Sequence, residues 1–145
     1  MKSGRKILML LTNAFDPDPR VHHEAVSLVQ NGYEVTILCW DRDYKKAAVE
    51  VVDGIGVERI YVRSTHGRGT TQMFFLFVFW LKALLRGFST RCDAIHCHDF
   101  DTLPLGAMQA VGRSLAPAGD YISANYRWPV KMKLFDELIA GTARR

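Results

Sequence analysis

The chain has 145 residues, 48% hydrophobic and 23% charged, which is enough for one core and too little for two ordinary domains, so residues 1–145 are read as one domain. Its net charge of +4 comes from Lys and Arg scattered along the sequence, not from a basic tract with interleaved aromatics, so no nucleic-acid partner is expected. Cys39, Cys92 and Cys97 are odd in number and at least two lie in apolar strand-like runs, which fits reduced thiols in a cytoplasmic setting and no disulfide.

The polar, basic N-terminus passes directly into Lys6 to Leu11, a first strand too short for the apolar region of a secretory signal. The next loop, Thr12 to Pro17, has no G-x-G-x-x-G pattern, so this domain is expected to bind no dinucleotide cofactor. Asp18 followed by Pro19 reads as an N-cap and first helical residue, Val21, Ala25, Leu28 and Val29 mark the apolar face, and Asn31-Gly32 ends the helix. Residues 34–40 form a second strand, followed by a charged loop from Asp41 to Lys46. Val49 to Val52 and Val57 to Val62 read as an edge hairpin around Asp53-Gly54-Ile55-Gly56. Arg63 to Gly69 is a basic loop whose Gly67-x-Gly69 is punctuation, and residues 72–86 form a very apolar helix.

That helix, rich in Phe and Trp from Met73 to Leu81, is broken by Lys82 and Arg86 before its uncharged run reaches the roughly 20 residues a bilayer requires. Two readings stand: a helix packed in the core, or one lying at an anionic membrane surface, with peripheral attachment at the inner face of the membrane. Strand-like and helix-like segments alternate along the chain, which points to an α/β domain, Rossmann-like, with a mostly parallel sheet flanked by helices.

The densest chemistry lies at residues 92–106. Asp93, Ala94, Ile95 and Cys97 form a strand-like run, and Leu103, Leu105, Met108, Ala110 and Val111 with Pro104 begin a helix, with Asp101 or Thr102 as its N-cap. His96 and His98 then share one face at the carboxyl end of the strand, where α/β sheets place their chemistry, while alternation turns the Cys97 thiol to the opposite face. His96-x-His98 has a spacing that can chelate one metal ion, and Asp99, Asp101 or His66 could supply a third ligand. A structural role and contact with substrate are the other readings of the pair. His22-His23-Glu24 fails the His-Glu-x-x-His requirement because Ser27 stands four residues after His23, and these histidines read as solvent-facing.

Lys6 to Leu11, Phe15-Asp16-Pro17-Asp18-Pro19-Arg20-Val21, Glu24-Ala25, Asn31-Gly32-Tyr33-Glu34-Val35 and Cys92-Asp93-Ala94-Ile95-His96-Cys97-His98-Asp99 with Leu103-Pro104-Leu105-Gly106 together resemble the N-terminal half of family 4 glycosyltransferases. These are retaining enzymes of the GT-B fold, in which an N-terminal domain mainly binds acceptor and a C-terminal domain holds the nucleotide-sugar donor. The resemblance implies transfer of a hexose from a nucleotide sugar, as co-substrate, to a glycan or lipid-linked acceptor. It places His98 and Asp99 at the reacting centre, and Asp16, Arg20, His96 and Asp101 in contact with substrate. No metal is implied, and none is assigned as a cofactor.

The sequence departs from that family pattern in three ways. The first loop lacks paired glycines; Gly112 to Gly119 lacks the apolar run expected of the next strand; and no donor domain follows the acceptor-side half. The resemblance therefore implies either an enzyme that needs a separate donor-binding polypeptide or a non-catalytic partner subunit or truncated product. A metal-dependent hydrolase built on His96 and His98 is the remaining alternative. Residues 128–140, with Val130, Leu134 and Leu138 four apart, read as an amphipathic helix that packs on the sheet or docks a partner.

Overall fold

The computed structural model describes residues 4–64 and 69–113. Strands β1 (Lys6–Leu11), β2 (Glu34–Asp41), β3 (Val49–Val52), β4 (Ile55–Tyr61) and β5 (Ala94–Cys97) form one sheet in the order β3-β4-β2-β1-β5. β1 pairs in parallel with both β2 and β5, β2 pairs in parallel with β4, and only the edge strand β3 runs antiparallel. Helices α1 (Pro19–Gln30), α2 (Gly69–Ser89) and α3 (Leu103–Arg113) complete the α/β architecture, which is Rossmann-like.

Each face of the sheet is filled by alternate residues of the same strands. Ile7, Met9 and Leu11 of β1, with Val35, Ile37 and Cys39 of β2, pack against Val21, Ala25 and Leu28 of α1. Leu8 and Leu10 of β1, with Leu38 and Trp40 of β2, face the other way onto Phe79 and Ala83 of α2 and Leu105 of α3. Because both faces are covered, β1 and β2 read as nearly continuous apolar runs. The Trp40 and Phe79 rings stack with centroids 5.1 Å apart, and Trp40 Nε1 donates to the Val62 carbonyl, so the largest core side chain is both packed and satisfied.

α1 begins as its sequence predicts: the Asp18 side chain accepts from the Arg20 N–H and Pro19 occupies the first turn. The β3–β4 turn is tighter than expected. Asp53 and Gly54 both take positive φ, so the connection is a two-residue turn of the type I′ kind, and Ile55 and Gly56 belong to β4 instead of the loop. α2 is longer than residues 72–86, running from Gly69 to Ser89. It lies so close to α3 that a Cβ on Gly87 would collide with the side-chain amide of Gln109.

The segment after β5 also differs from expectation. A single 3₁₀ turn, Phe100–Thr102, precedes α3, and the Thr102 hydroxyl donates back to the Asp99 carbonyl, so neither Asp101 nor Thr102 acts as a simple helix N-cap. His23 is exposed as expected, whereas His22 is half-buried: its Nε2 lies 2.8 Å from Asp53 Oδ2 and ties α1 to the hairpin turn. His66, the 112–119 segment past Arg113 and the amphipathic pattern at 128–140 lie outside the described residues.

Candidate active site

β1 sends its chain to β2 on one side, and β5 lies on its other side, so the strand order reverses at β1. In an open α/β sheet such a reversal leaves a crevice outside the carboxyl ends of the strands, because the two following connections leave toward opposite faces. The residues that follow β1, Thr12 to Asp18, and those that follow β5, His98 to Thr102, border it. The fold thus assembles side chains that are far apart in sequence.

His96 pairs across the sheet with Met9, which directs its side chain to the α1 face, while the neighbouring Cys97 pairs with Leu10 and faces the other way. The Cys97 thiol points back to the Thr102 carbonyl, and burial pushes its pKa up, so it is a packed thiol and not a nucleophile beside the histidines. Above the α1 face, His96 Nδ1 lies 2.9 Å from Glu24 Oε1, and His98 Nδ1 lies 3.9 Å from Glu24 Oε2. The two imidazoles stack at 4.3 Å between centroids. Glu24 sits between Val21, Ala25 and Leu28 on the inward side of α1, so the helix delivers a carboxylate where its spacing would otherwise deliver an apolar residue.

The electrostatics separate the members of this trio. Burial opposes ionisation of Glu24, but the hydrogen bond and charge of His96, helped by His98, outweigh it and hold the carboxyl below the usual glutamate range. Burial pushes His98 below the usual histidine range, His96 adds to that push, and the carboxylates of Glu24, Asp99 and Asp18 only partly oppose it. His98 is therefore neutral at pH 7. Its side chain is only 10% exposed, its backbone N–H donates to the Leu10 carbonyl, and its Nε2 is buried with no partner among the described residues. A buried polar atom left unpaired is costly, which makes Nε2 a position that a ligand hydroxyl or a water would satisfy.

A second group lies across the β1 end. Asp99 Oδ2 accepts from both the N–H and the hydroxyl of Thr12, each at 3.0 Å, and Asp101 Oδ1 lies 3.3 Å from the same hydroxyl. Burial, followed by the charge of Asp99, raises the Asp101 pKa. Asp99 thus turns to Thr12, and the charge nearest His98 Nδ1 comes from Glu24. In the first loop Asn13 Oδ1 accepts from the Phe15 N–H while Phe15, at positive φ, fills a buried slot. Arg20 donates to Asp18 Oδ2 in an exposed ion pair, and Asp16 pairs with Lys46 at the surface.

Three side chains here escaped the sequence reading. Glu24, rather than Asp99, Asp101 or His66, is the carboxylate that meets His96 and His98, and the signal for it was an acid inside an apolar helical stripe. Thr12 turns its hydroxyl, as donor, to the carboxylates of both Asp99 and Asp101. Arg59, buried inside β4, donates from Nε to the Ala14 carbonyl, from Nη2 to the Phe15 carbonyl and to Glu50, and from Nη1 to the Ala47 carbonyl, pinning the first loop to the sheet edge. Of the residues predicted at the site, His96 and His98 come together, Asp99 and Asp101 share Thr12, Arg20 stays with Asp18, and Asp16 is drawn to Lys46.

The ligand atoms of Glu24, His96 and His98 all lie within 4.8 Å of one another, a donor set able to hold a divalent ion. The same residues, with Nδ1 of His96 hydrogen-bonded to Glu24 and Nε2 of His98 bare, make a neutral hydrogen-bonding imidazole beside a fixed carboxylate.

No curated protein matches the chain. The family model for Glycosyltransferase Family 4 matches residues 20–118, more than half of the sequence, and runs from the first turn of α1 through β5 and the two histidines to the end of α3. With that match on top of a Rossmann-like sheet and a polar cluster at its strand reversal, the chain belongs to Glycosyltransferase Family 4.

Proposed function

We propose that this domain is the acceptor-side half of a retaining glycosyltransferase of GT-B architecture, and that it takes part in moving a hexose from a nucleotide sugar to a glycan or lipid-linked acceptor. The observation that supports this most is His98: neutral, held by burial at the strand reversal, with a bare Nε2. A glycosyl transition state gains positive charge on the sugar ring and negative charge on the departing phosphate. A neutral imidazole hydrogen-bonds sugar hydroxyls there without placing a repulsive cation beside the ring. In this reading His98 touches the reacting sugar and Glu24 fixes the two imidazoles. Asp99 and Asp101 hold the β1 and β5 ends together, and Arg20, exposed beyond its pair with Asp18, meets anionic substrate. Grip on the donor nucleotide falls to a second domain, in the same polypeptide or in another, because acceptor binding alone lowers no transfer barrier.

The test is turnover of a nucleotide-sugar panel by the complete two-domain enzyme or reconstituted pair, with His98→Ala as the variant. Loss of about 100-fold in kcat is expected for removing a hydrogen bond made at the reacting centre; unchanged kcat would remove His98 from it. Tight nucleotide binding by this chain alone would overturn the acceptor-side assignment, and binding without turnover in the complete system would favour a non-catalytic partner subunit.

The Glu24, His96 and His98 donor set favours one further reading, a metal-dependent hydrolase. One equivalent of zinc retained through purification, and lost in Glu24→Gln, would support it; metal-free protein with full transferase turnover would end it.

A further inference from the structure

α2 carries two unlike sides. Phe79, Ala83 and Gly87 are buried against the sheet and α3, whereas Met73, Phe74, Phe77, Leu81, Leu85 and Phe88 all stand in solvent, from 46% exposed at Phe88 to 70% at Met73. At about 100° per residue, positions 74, 77, 81, 85 and 88 fall on a single stripe along the helix. Met73, Phe74, Phe77, Val78 and Leu81 also line a shallow apolar depression. Five large apolar side chains in one line, with Met73 beside them, exceed the scattered exposure normal for a soluble surface.

Charge decides what covers it. From Gly69 to Cys92 the sequence contains no acidic residue, while it carries Lys82, Arg86 and Arg91. Lys82 lies on the flank of the stripe, exposed, with Nζ at the Tyr61 carbonyl, and Arg86 further round reaches Glu58 on β4. Arg91 is exposed just past the helix end. An apolar stripe edged by cations and lacking any acid is complementary to an apolar layer beneath an anionic surface.

We propose that the outward face of α2 docks the domain on the surface of an anionic bilayer, with the Phe and Leu side chains in the headgroup boundary and Lys82 and Arg91 at the lipid phosphates. α2 is long and apolar enough to cross a membrane. Phe79 stacked on Trp40 and Arg86 bound to Glu58 instead tie it lengthwise to the sheet, which sets it parallel to the membrane. This attachment is independent of the transferase reading, because it is measured without turnover.

The test is co-sedimentation of the full chain with vesicles of phosphatidylcholine alone and of phosphatidylcholine mixed with phosphatidylglycerol. Binding is expected on the mixed vesicles, weakening as salt rises, and far less on neutral ones. Phe77→Asp and Leu81→Asp should each weaken it about tenfold, the effect of withdrawing one large apolar side chain. Lys82→Gln should weaken it about fivefold. These exposed substitutions should leave the circular dichroism unchanged. Equal affinity for neutral and anionic vesicles, or wild-type affinity in the Phe77→Asp variant, overturns the proposal. So does a lipid-free dimer that Leu81→Asp dissolves, which would make a second copy the occupant. A Phe77→Cys thiol that reacts slowly with maleimide in the lipid-free chain, and quickly once Leu134→Asp is added, would assign the face to residues 128–140.

Discussion

On the α1 side of the sheet the apolar rows of β1 and β2 give way, one strand over, to His96 and His98 against a carboxylate that α1 supplies. On the α2 side the apolar packing continues through the helix and out of its far face, where large side chains meet solvent. The same strands feed both sides by simple alternation, so the difference arises in the helices: α1 interrupts its inward stripe with Glu24, and α2 has apolar residues around most of its circumference. A half-buried polar cluster lies where a helix turns polar toward the sheet, and an exposed apolar face lies where a helix stays apolar away from it.

The strongest way to break the comparison is to remove the packing that makes α2 two-sided. Phe79 is fully buried and stacked on Trp40, so Phe79→Ala should cost about 3 to 5 kcal/mol of unfolding free energy in urea. Phe77→Ala, two residues earlier on the exposed face, should change it by less than about 0.5 kcal/mol. Equal losses at both positions would mean that the outer face is packed too.

Next comes Arg59, which holds the β1 loop from the sheet edge. Its side chain is 1% exposed and its guanidinium serves three carbonyls and Glu50. Arg59→Met keeps the unbranched stem but leaves Glu50 and the carbonyls of Ala14 and Phe15 without their donor, so a loss of about 3 kcal/mol is expected. Backbone amides of residues 12–16 should exchange faster in the same variant. A variant as stable as wild type, with unchanged exchange there, would remove the clamp from the account of the site.

Much of this fold is written locally. Asp18-Pro19 starts α1, Asn31-Gly32 follows its end, Asp53-Gly54 turns the hairpin, and the apolar runs at 6–11 and 34–40 are strands because both of their faces are covered. The hairpin was misread by two residues because Gly56 looks like loop, whereas it lies within β4 opposite Val51, where the missing side chain is tolerated. The site was legible on one side only. His96 and His98 declare themselves by sitting two apart at a strand end, but their partner Glu24 lies on a helix that reaches them only through the crossover of the fold. Asp99 looked like the nearer acid, yet strand alternation stops at Cys97, and beyond it the chain turns Asp99 to Thr12. Arg59 was hidden for a related reason: an arginine inside an alternating strand looks like a solvated position until a loop from another strand covers it.

Glu24→Gln sharpens the comparison most finely, because it removes a charge and keeps the shape. His98 has its pKa lowered on folding, so the unfolded chain binds that proton more readily, and the stability His98 contributes is complete above about pH 6.5 and falls as the pH is lowered. Glu24 is lowered as well, so its contribution is complete above the ordinary glutamate range and falls at still lower pH. In the wild type both losses follow one another on acidification. The Gln variant cannot show the second, and it also loses the carboxylate that partly supported a proton on His98, which lowers that imidazole further. Urea midpoints measured from neutral pH to about pH 4 should therefore separate the two chains by about 1 kcal/mol at neutral pH, the scale of one hydrogen bond. The variant should then fall more steeply just below about pH 6.5 and more gently in the glutamate range. Parallel curves would mean that Glu24 does not sense the histidines, and that His98 is held at the strand reversal by burial alone.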